Sequence, residues 1–264
     1  MIRVVRAEWR KLRRPTLFLG TIGVTGLLIS LFTWLLFKST EPGQRSRDPE
    51  NAISPEMFQT TSGAVFTLAQ TTYFIGTIAY SVFAAQTSQE YTYGTIRNLL
   101  LRQPGRLKLL LGKLIAMKLF AMIMVGIGAL IAIGLSVFYA PQYDIDTTLW
   151  FGDEGLKEIV NTLFNVSISV FGFGILGMIM GILLRSAITT LALGLIWLMV
   201  VEGLLLQLAR PSILAWTPGS QLQVVGSGGT FEYSYSHGLI VSGMYICGGA
   251  ILAAILFSRR DVAN

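Results

Sequence analysis

The amino-acid sequence predicts an all-α membrane protein with six transmembrane helices, organised as one domain over residues 1–264. Hydrophobic residues make up 53% of the chain and charged residues only 13%, whereas soluble proteins carry about 25% charge. Six apolar runs also reach the roughly 20 residues of helix that are needed to cross a bilayer. The composition therefore excludes a soluble globular domain and a disordered chain.

The predicted spans lie at residues 16–37, 63–86, 109–138, 160–184, 186–208 and 239–258. The first span is too long for a signal-peptide core and has no small-x-small cleavage site, so we expect it to be retained. Six spans place both termini on one side. That side carries 15 of the 20 Lys and Arg residues, and the positive-inside rule predicts that it is cytoplasmic.

Residues 1–15 are too charged to cross the membrane, but their apolar side chains recur at spacings of three and four. These are Ile2, Val5, Trp9 and Leu12. The pattern predicts an amphipathic helix that lies in the membrane interface and ends at Pro15.

The loop at residues 88–107 is the longest on the predicted inner side. Gly94 is expected to end the helix of the second span, and Thr95 is expected to cap a new one. Ile96, Leu99 and Leu100 give the new helix an apolar face before the chain turns at residues 104–105. The loop therefore predicts a short amphipathic helix beneath the membrane.

The outer stretch at residues 209–238 is rich in Gly, Pro and Ser. Two of its segments, 212–216 and 220–225, are apolar enough to return to the interface, which predicts re-entrant structure there. In the fourth span, the Gly177-x-x-x-Gly181 spacing is typical of helices that approach one another closely.

Neither redox, metal nor nucleotide chemistry is predicted for this chain. A single cysteine, Cys247, and a single histidine, His237, exclude an internal disulfide and a Cys/His zinc site. The phosphate-binding pattern fails at the Gly112-Lys113 pair, because Leu107 stands where its first glycine belongs. No catalytic residue, cofactor or nucleic-acid partner is expected, and the net charge of +6 is assigned to membrane orientation and lipid contacts.

Glu202 is the one ionisable residue deep within a predicted span, which makes it a candidate functional residue. We hypothesise that it faces Asn165 of the fourth span, within the chain or across subunits. The alternative is a structural glutamate packed near the interface. The second span carries Thr67, Gln70 and Thr77 on one face, which indicates either a translocation wall or a helix contact.

Three segments resemble the permease subunit of ABC-2 type transporters. They are RAEWRKLRRP near the start, EYTYGTIRNLLLRQPGRLKLLLGK in the middle and FSRRDV near the end. The resemblance implies the fold of an ABC-2 (type V) exporter. It also implies that a second permease copy or paralogue pairs with this chain in a bacterial plasma membrane, among membrane lipids.

By the same resemblance, two copies of a soluble ABC ATPase carry the ATP and magnesium and dock on the inner face. The residues implied at ATPase coupling are Glu90, Gly94, Thr95, Ile96, Arg97 and Leu100, and those of the N-terminal elbow helix are Glu8, Trp9, Arg10 and Lys11. The residues implied along the translocation path are Thr67, Gln70, Thr71, Thr77, Asn165 and Glu202.

The function expected from this resemblance is ATP-driven export of a hydrophobic or amphipathic compound, such as a drug, an antimicrobial peptide or a lipid. The alternative is an ion-coupled secondary transporter or channel that uses Glu202 and needs no ATPase.

Overall fold

A computed structural model of the chain describes residues 2–41, 53–102, 105–208 and 211–259, and these residues form helices and connecting turns without a β-strand. The helices are α1 (Ile2–Leu12), α2 (Pro15–Lys38), α3 (Pro55–Phe58), α4 (Gly63–Gln70), α5 (Thr72–Thr92), α6 (Ile96–Arg102), α7 (Arg106–Tyr139), α8 (Asp153–Leu184), α9 (Ala187–Leu195), α10 (Glu202–Gln207), α11 (Pro211–Leu214), α12 (Pro218–Gly226) and α13 (Tyr235–Arg259). A 3₁₀ turn, Ala140–Tyr143, follows α7, and a π-helical segment, Ile196–Val201, joins α9 to α10.

Within the described residues, five helical segments are long and apolar enough to cross a membrane. They are Pro15–Lys38, Arg106–Tyr143, Asp153–Leu184, Ala187–Gln207 and Tyr235–Ser258. They match five of the predicted spans. The remaining one, at 63–86, is divided between α4 and α5 and is not among the five.

The break between α4 and α5 lies at Thr71. The Thr71 hydroxyl donates to the carbonyls of Thr67 and Leu68, at 2.9 and 3.1 Å, and the Thr72 hydroxyl donates to Leu68 at 3.2 Å. Hydroxyls that bond to carbonyls of the preceding turn compete with the helical backbone and bend helices. The number of six transmembrane helices thus stays a prediction. An all-helical membrane protein with several membrane-spanning segments is confirmed.

The centre of the bundle is the packing of α5 on α8. A side chain at Gly76 of α5 would collide with the ring of Phe173, and one at Gly174 of α8 would collide with Phe83. Gly177 lies directly against the Tyr80 backbone. The predicted close approach at Gly177 is therefore confirmed, and the helix it admits is α5 of the same chain.

The two ends of the bundle differ in construction. At one end, here called the elbow end, α1 packs on α7, with Val4 against Gly112. At the opposite end, the loop end, the Trp150 indole is fully buried and donates to the Phe58 carbonyl at 2.7 Å.

After the fifth apolar helix the chain turns back as α11 and α12. Helix α12 packs against α5, α8 and α13, and the Ser169 hydroxyl of α8 donates to the Leu222 carbonyl at 2.7 Å. The predicted re-entry of 209–238 into the membrane stays a prediction, and residues 209 and 210 lie outside the described residues.

Candidate functional site

At the elbow end, two acidic and two basic side chains form a closed ring, which we call the charge ring: Glu8, Lys11, Glu90 and Lys113. Lys11 Nζ lies 2.6 Å from Glu8 Oε1 and 2.7 Å from Glu90 Oε1. Lys113 Nζ lies 3.1 Å from Glu8 Oε2 and 2.7 Å from Glu90 Oε1. The ring joins α1, α5 and α7, and each ammonium contacts both carboxylates.

The ion pairs of the charge ring are buried, so the loss of one partner would leave the other charge uncompensated. Glu8 and Lys113 are 3% and 1% exposed, so neither charge could remain without its partner. Burial raises the pKa of Glu8, but Lys113 and Lys11 outweigh this effect and hold it below its ordinary value. For Lys11, burial lowers the pKa, and the attraction of Glu90 and Glu8 raises it above its ordinary value.

The loop after α5 presents helix α6 beside the charge ring. Gly94 adopts a positive φ of 65°, which allows the chain to leave α5, as the sequence predicts. The Leu99 amide donates to the Thr95 carbonyl at 3.1 Å, so α6 begins after Thr95. The Thr95 hydroxyl donates to the Glu90 carbonyl at 3.4 Å, and its predicted capping of α6 stays a prediction.

A groove of about 400 Å³ separates α1 from α5 and α6. We call it the elbow-end groove, and its lining residues are Lys11, Arg14, Gln86, Gln89, Glu90, Tyr93, Thr95, Asn98 and Leu99. Tyr93 of this lining is 73% exposed, and Leu101 of α6 is 75% exposed. Arg97 is exposed on the same short helix.

The residues predicted at ATPase coupling therefore divide into two groups. Gly94, Thr95 and Arg97 are exposed, whereas Glu90 and Ile96 are buried. Nothing is described of the Leu100 side chain. In the elbow helix, Arg10 is exposed, Trp9 is half-buried against the core, and Glu8 and Lys11 belong to the charge ring. The end of the FSRRDV segment, from residue 260 onward, lies outside the described residues.

The Glu202 carboxylate lies at the first turn of α12. Its Oε1 accepts from the Trp197 indole at 2.9 Å and from the Gly219 amide at 3.1 Å. Its Oε2 accepts from the Ser220 amide at 2.7 Å and hydroxyl at 3.1 Å, and from the Tyr73 hydroxyl at 3.3 Å. Free amide groups and the helix dipole both favour a carboxylate at such a position.

The π-helical segment Ile196–Val201 precedes Glu202 directly. The Tyr73 hydroxyl of α5 donates to the Leu198 carbonyl within this segment at 2.5 Å. A π-helical turn displaces the following side chains around the helix axis, and such turns occur frequently at functional positions. The turn therefore helps to set the direction in which Glu202 leaves its helix.

The other predicted path residues are distributed over two places. Thr67, Thr71 and Thr77 are buried, and the hydroxyls of Thr71 and Thr77 donate to carbonyls of their own helical segment. Gln70 and Asn165 line a cavity at the loop end. Among the described residues no hydrogen bond joins Glu202 to Asn165, so the hypothesised pairing is not found within the chain.

A sequence model described as "ABC-2 family transporter protein" matches residues 4–201, three quarters of the chain. The chain belongs to the ABC-2 transporter family. A search of curated proteins found no match. The match includes the four residues of the charge ring, on α1, α5 and α7, as well as α6, and it ends before Glu202 and α12.

Membership of the ABC-2 family makes this chain a multi-pass membrane component of a transport system. Permeases of this family are generally not enzymes and associate in general with an ABC ATPase. Among the described residues, no three or more His, Cys, Asp or Glu side chains form a group suited to a metal ion.

Sequence reasoning missed two features of this ABC-2 protein. Lys113 lies within the predicted span 109–138, and a lysine there signals a buried acidic partner. The second feature is the contact between Glu202 and the start of α12. Pro218, at the first turn of α12, is typical of a helix N-terminus, so the helix could have been predicted, but its contact with Glu202 could not.

Proposed function

We propose that this chain is the permease subunit of an ATP-driven ABC exporter, with the elbow end in the cytoplasm and a separate soluble ATPase docked there. The proposed coupling surface consists of the exposed part of α6, around Arg97, and the elbow-end groove. Two permease chains and two ATPase subunits form the proposed complex. The proposed cargo is a hydrophobic or amphipathic compound.

The single observation that supports this proposal best is the charge ring beside α6. The ring links α1 to α5 and α7 through buried ion pairs. A force on α6 or α1 would therefore be transmitted to α5, whose close packing on α8 reaches the centre of the bundle. Such a connection suits a protein that couples a cytoplasmic motor to a membrane path.

The proposed contact with the ATPase is both apolar and electrostatic. Leu101 and Tyr93 offer exposed apolar surface, and Arg97 and Arg14 offer positive charge. An acidic and partly apolar groove on the ATPase would complement this surface. We expect ATP and magnesium to be bound by the ATPase alone.

The test is co-purification of the ATPase with the tagged full-length chain from its native host in mild detergent. We predict that an ATPase of roughly 25–35 kDa, the size of one compact domain, co-purifies with the wild type. Arg97→Glu should reduce its recovery at least about tenfold, because reversal of a charge at an interface costs more than 1.4 kcal/mol.

Lys157→Glu is the matched control, since Lys157 is 67% exposed and lies at the loop end. It should leave the recovery unchanged. Failure to find an ATPase even after crosslinking would contradict the proposal, as would equal losses from both reversals.

The ion-coupled alternative needs Glu202 to bind a proton or a cation. Both Glu202 oxygens already accept hydrogen bonds from groups that position α12. This bonding supports a structural role for Glu202 and gives the alternative no observation of its own.

A further inference from the structure

The loop end contains a cavity of about 720 Å³ between α4, α8 and the segment that joins α12 to α13. We call it the loop-end pocket. Its volume is that of a site for a small organic molecule. The residues at issue below are Gln70, Glu158, Asn161, Asn165, Gln223 and Phe231.

The charge of this pocket is negative. Glu158 is its one carboxylate, and none of the described residues that line it is Lys or Arg. The adjacent Lys157 pairs with Glu154 at 2.7 Å instead, and Glu158 has no ion pair among the described residues. A half-buried carboxylate without a counter-ion favours a cationic ligand.

The amides of the pocket add hydrogen-bond acceptors. The Gln223 amide nitrogen donates to the Ala69 carbonyl and the Ser227 hydroxyl, both at 3.1 Å. Gln223 Oε1 is buried and has no hydrogen-bond partner among the described residues. Gln70, Asn161 and Asn165 lie on the same lining, and each of their side-chain amides contains one acceptor oxygen. Acceptors suit a ligand that donates several hydrogen bonds, as an ammonium group does.

Aromatic rings at the loop-end pocket provide a further surface that a cationic ligand can contact. Phe231 is fully exposed, and Phe164 is 63% exposed. Exposed rings next to a carboxylate attract an organic cation through their π faces and an alkyl chain through apolar contact.

We propose that the loop-end pocket binds the ammonium group of a cationic amphiphile, with Glu158 as the charge partner and the amide carbonyls as acceptors. The ligand's apolar body lies against Phe164 and Phe231. This inference rests on the proposed function in one respect only, namely that the ammonium compound is the exported cargo. Binding itself requires no ATPase.

The test uses the full-length chain in dodecyl maltoside, a detergent without an ammonium group. The probes are a photoreactive dodecylammonium and its uncharged N-acetyl amide, and labelled peptides are mapped by mass spectrometry. The ammonium probe should label the segments 158–165 and 223–235, and the amide probe should label them much less. Excess unlabelled dodecylammonium should abolish the signal.

Glu158→Gln should reduce labelling about fivefold, which corresponds to the ~1 kcal/mol of a partly exposed ion pair. Phe231→Ala should also reduce it, and this fully exposed position cannot disturb the fold. Glu154→Gln is the matched control, since it lies one turn earlier on α8, is exposed and does not line the pocket.

Competition identifies the source of the ammonium group. Displacement by lysophosphatidylethanolamine as well as dodecylammonium would assign the pocket to a lipid headgroup, and displacement by dodecylammonium alone would assign it to a free amphiphile. Equal labelling by both probes, or unchanged labelling of Glu158→Gln, would overturn the proposal. Either result would leave the co-purified ATPase, and hence the proposed function, unaffected.

Discussion

Buried carboxylates in this chain are stabilised in two different ways. Glu8 and Glu90 are neutralised by Lys11 and Lys113, whereas Glu202 is solvated by neutral N–H and O–H donors. Cationic partners suit the elbow end, where positive charge is concentrated. Neutral donors hold the Glu202 carboxyl group and tie its helix to α12.

We predict that Glu202→Gln destabilises the protein by about 1–3 kcal/mol, because the amide nitrogen would face donors that now bond to a carboxylate oxygen. The thermal midpoint in detergent should fall by roughly 2–4 °C for each kcal/mol. Intrinsic fluorescence is a suitable probe, since the Trp197 indole donates to Glu202.

Ser220→Ala provides a graded comparison for this position. It removes the hydroxyl donor and keeps the Ser220 amide, so it should lower the midpoint less than Glu202→Gln. If Glu202→Gln unfolds at the wild-type temperature and alters only transport, the structural role assigned to Glu202 is wrong.

Among the described ionisable residues that are buried, the sequence predicts Glu202 but not Glu8 or Lys113, and it does not predict which groups bond to Glu202. A carboxylate within an apolar span signals a bonded environment, and Glu202 was recognised on that ground. Its donors Gly219 and Ser220 come from a helix beyond an irregular segment, whose path local patterns do not determine. No hydrogen bond between Glu202 and Asn165 is found within the described residues, so their pairing across subunits stays a prediction.

At the scale of elements, α1 is fastened to the bundle by charge as well as by apolar packing. Val4 and Leu12 are buried on its apolar face, and Glu8 and Lys11 enter the charge ring. The sequence pattern predicts an amphipathic helix that ends at Pro15, whereas α1 ends at Leu12 and Pro15 is the first residue of α2. It did not predict that Glu8 would lie on the buried face.

The pKa shifts predict how the attachment of α1 depends on pH. Glu8 has a lowered pKa in the folded protein, so its contribution to stability is complete above its ordinary value of 4.5 and is lost as the pH falls through the lowered value. Lys11 has a raised pKa, so its contribution is complete below 10.5 and is lost at higher pH through the raised value.

We therefore predict that Glu8→Gln lowers the thermal midpoint at pH 7 and lowers it less as the pH falls below 4.5. The loss at neutral pH should be about 3 kcal/mol, the low end for breaking a buried ion pair. Glu154→Gln, which breaks an exposed pair, should change little at either pH. A midpoint difference that stays constant from pH 7 to pH 3 would contradict the role of the Glu8 charge.

The periodicity of apolar residues does not predict where a helix becomes irregular. The break at Thr71 and the π-helical segment Ile196–Val201 both lie inside apolar runs that favour a continuous helix. At each of them a hydroxyl bonds to a backbone carbonyl, Thr71 to Thr67 and Tyr73 to Leu198. Hydropathy contains no information about such bonds.

At the scale of the whole molecule, the two ends of the helix bundle differ in charge. The elbow end combines the charge ring with exposed arginines of α1 and α6, and the loop end contains Glu158 and an acceptor-rich pocket. A cationic ligand that is repelled by one end and attracted by the other would be held preferentially at the loop end.

The same charge asymmetry predicts the orientation of the chain in the membrane. Because Lys and Arg concentrate at the elbow end, we expect Arg3 in the cytoplasm and Glu154 outside. With Cys247→Ala as background, Glu154→Cys should react with a membrane-impermeant maleimide in intact cells, and Arg3→Cys should react only after permeabilisation. Both positions are exposed, so reactivity reports sidedness rather than burial. Labelling of Arg3→Cys in intact cells would reverse the orientation and place the proposed ATPase surface on the wrong side.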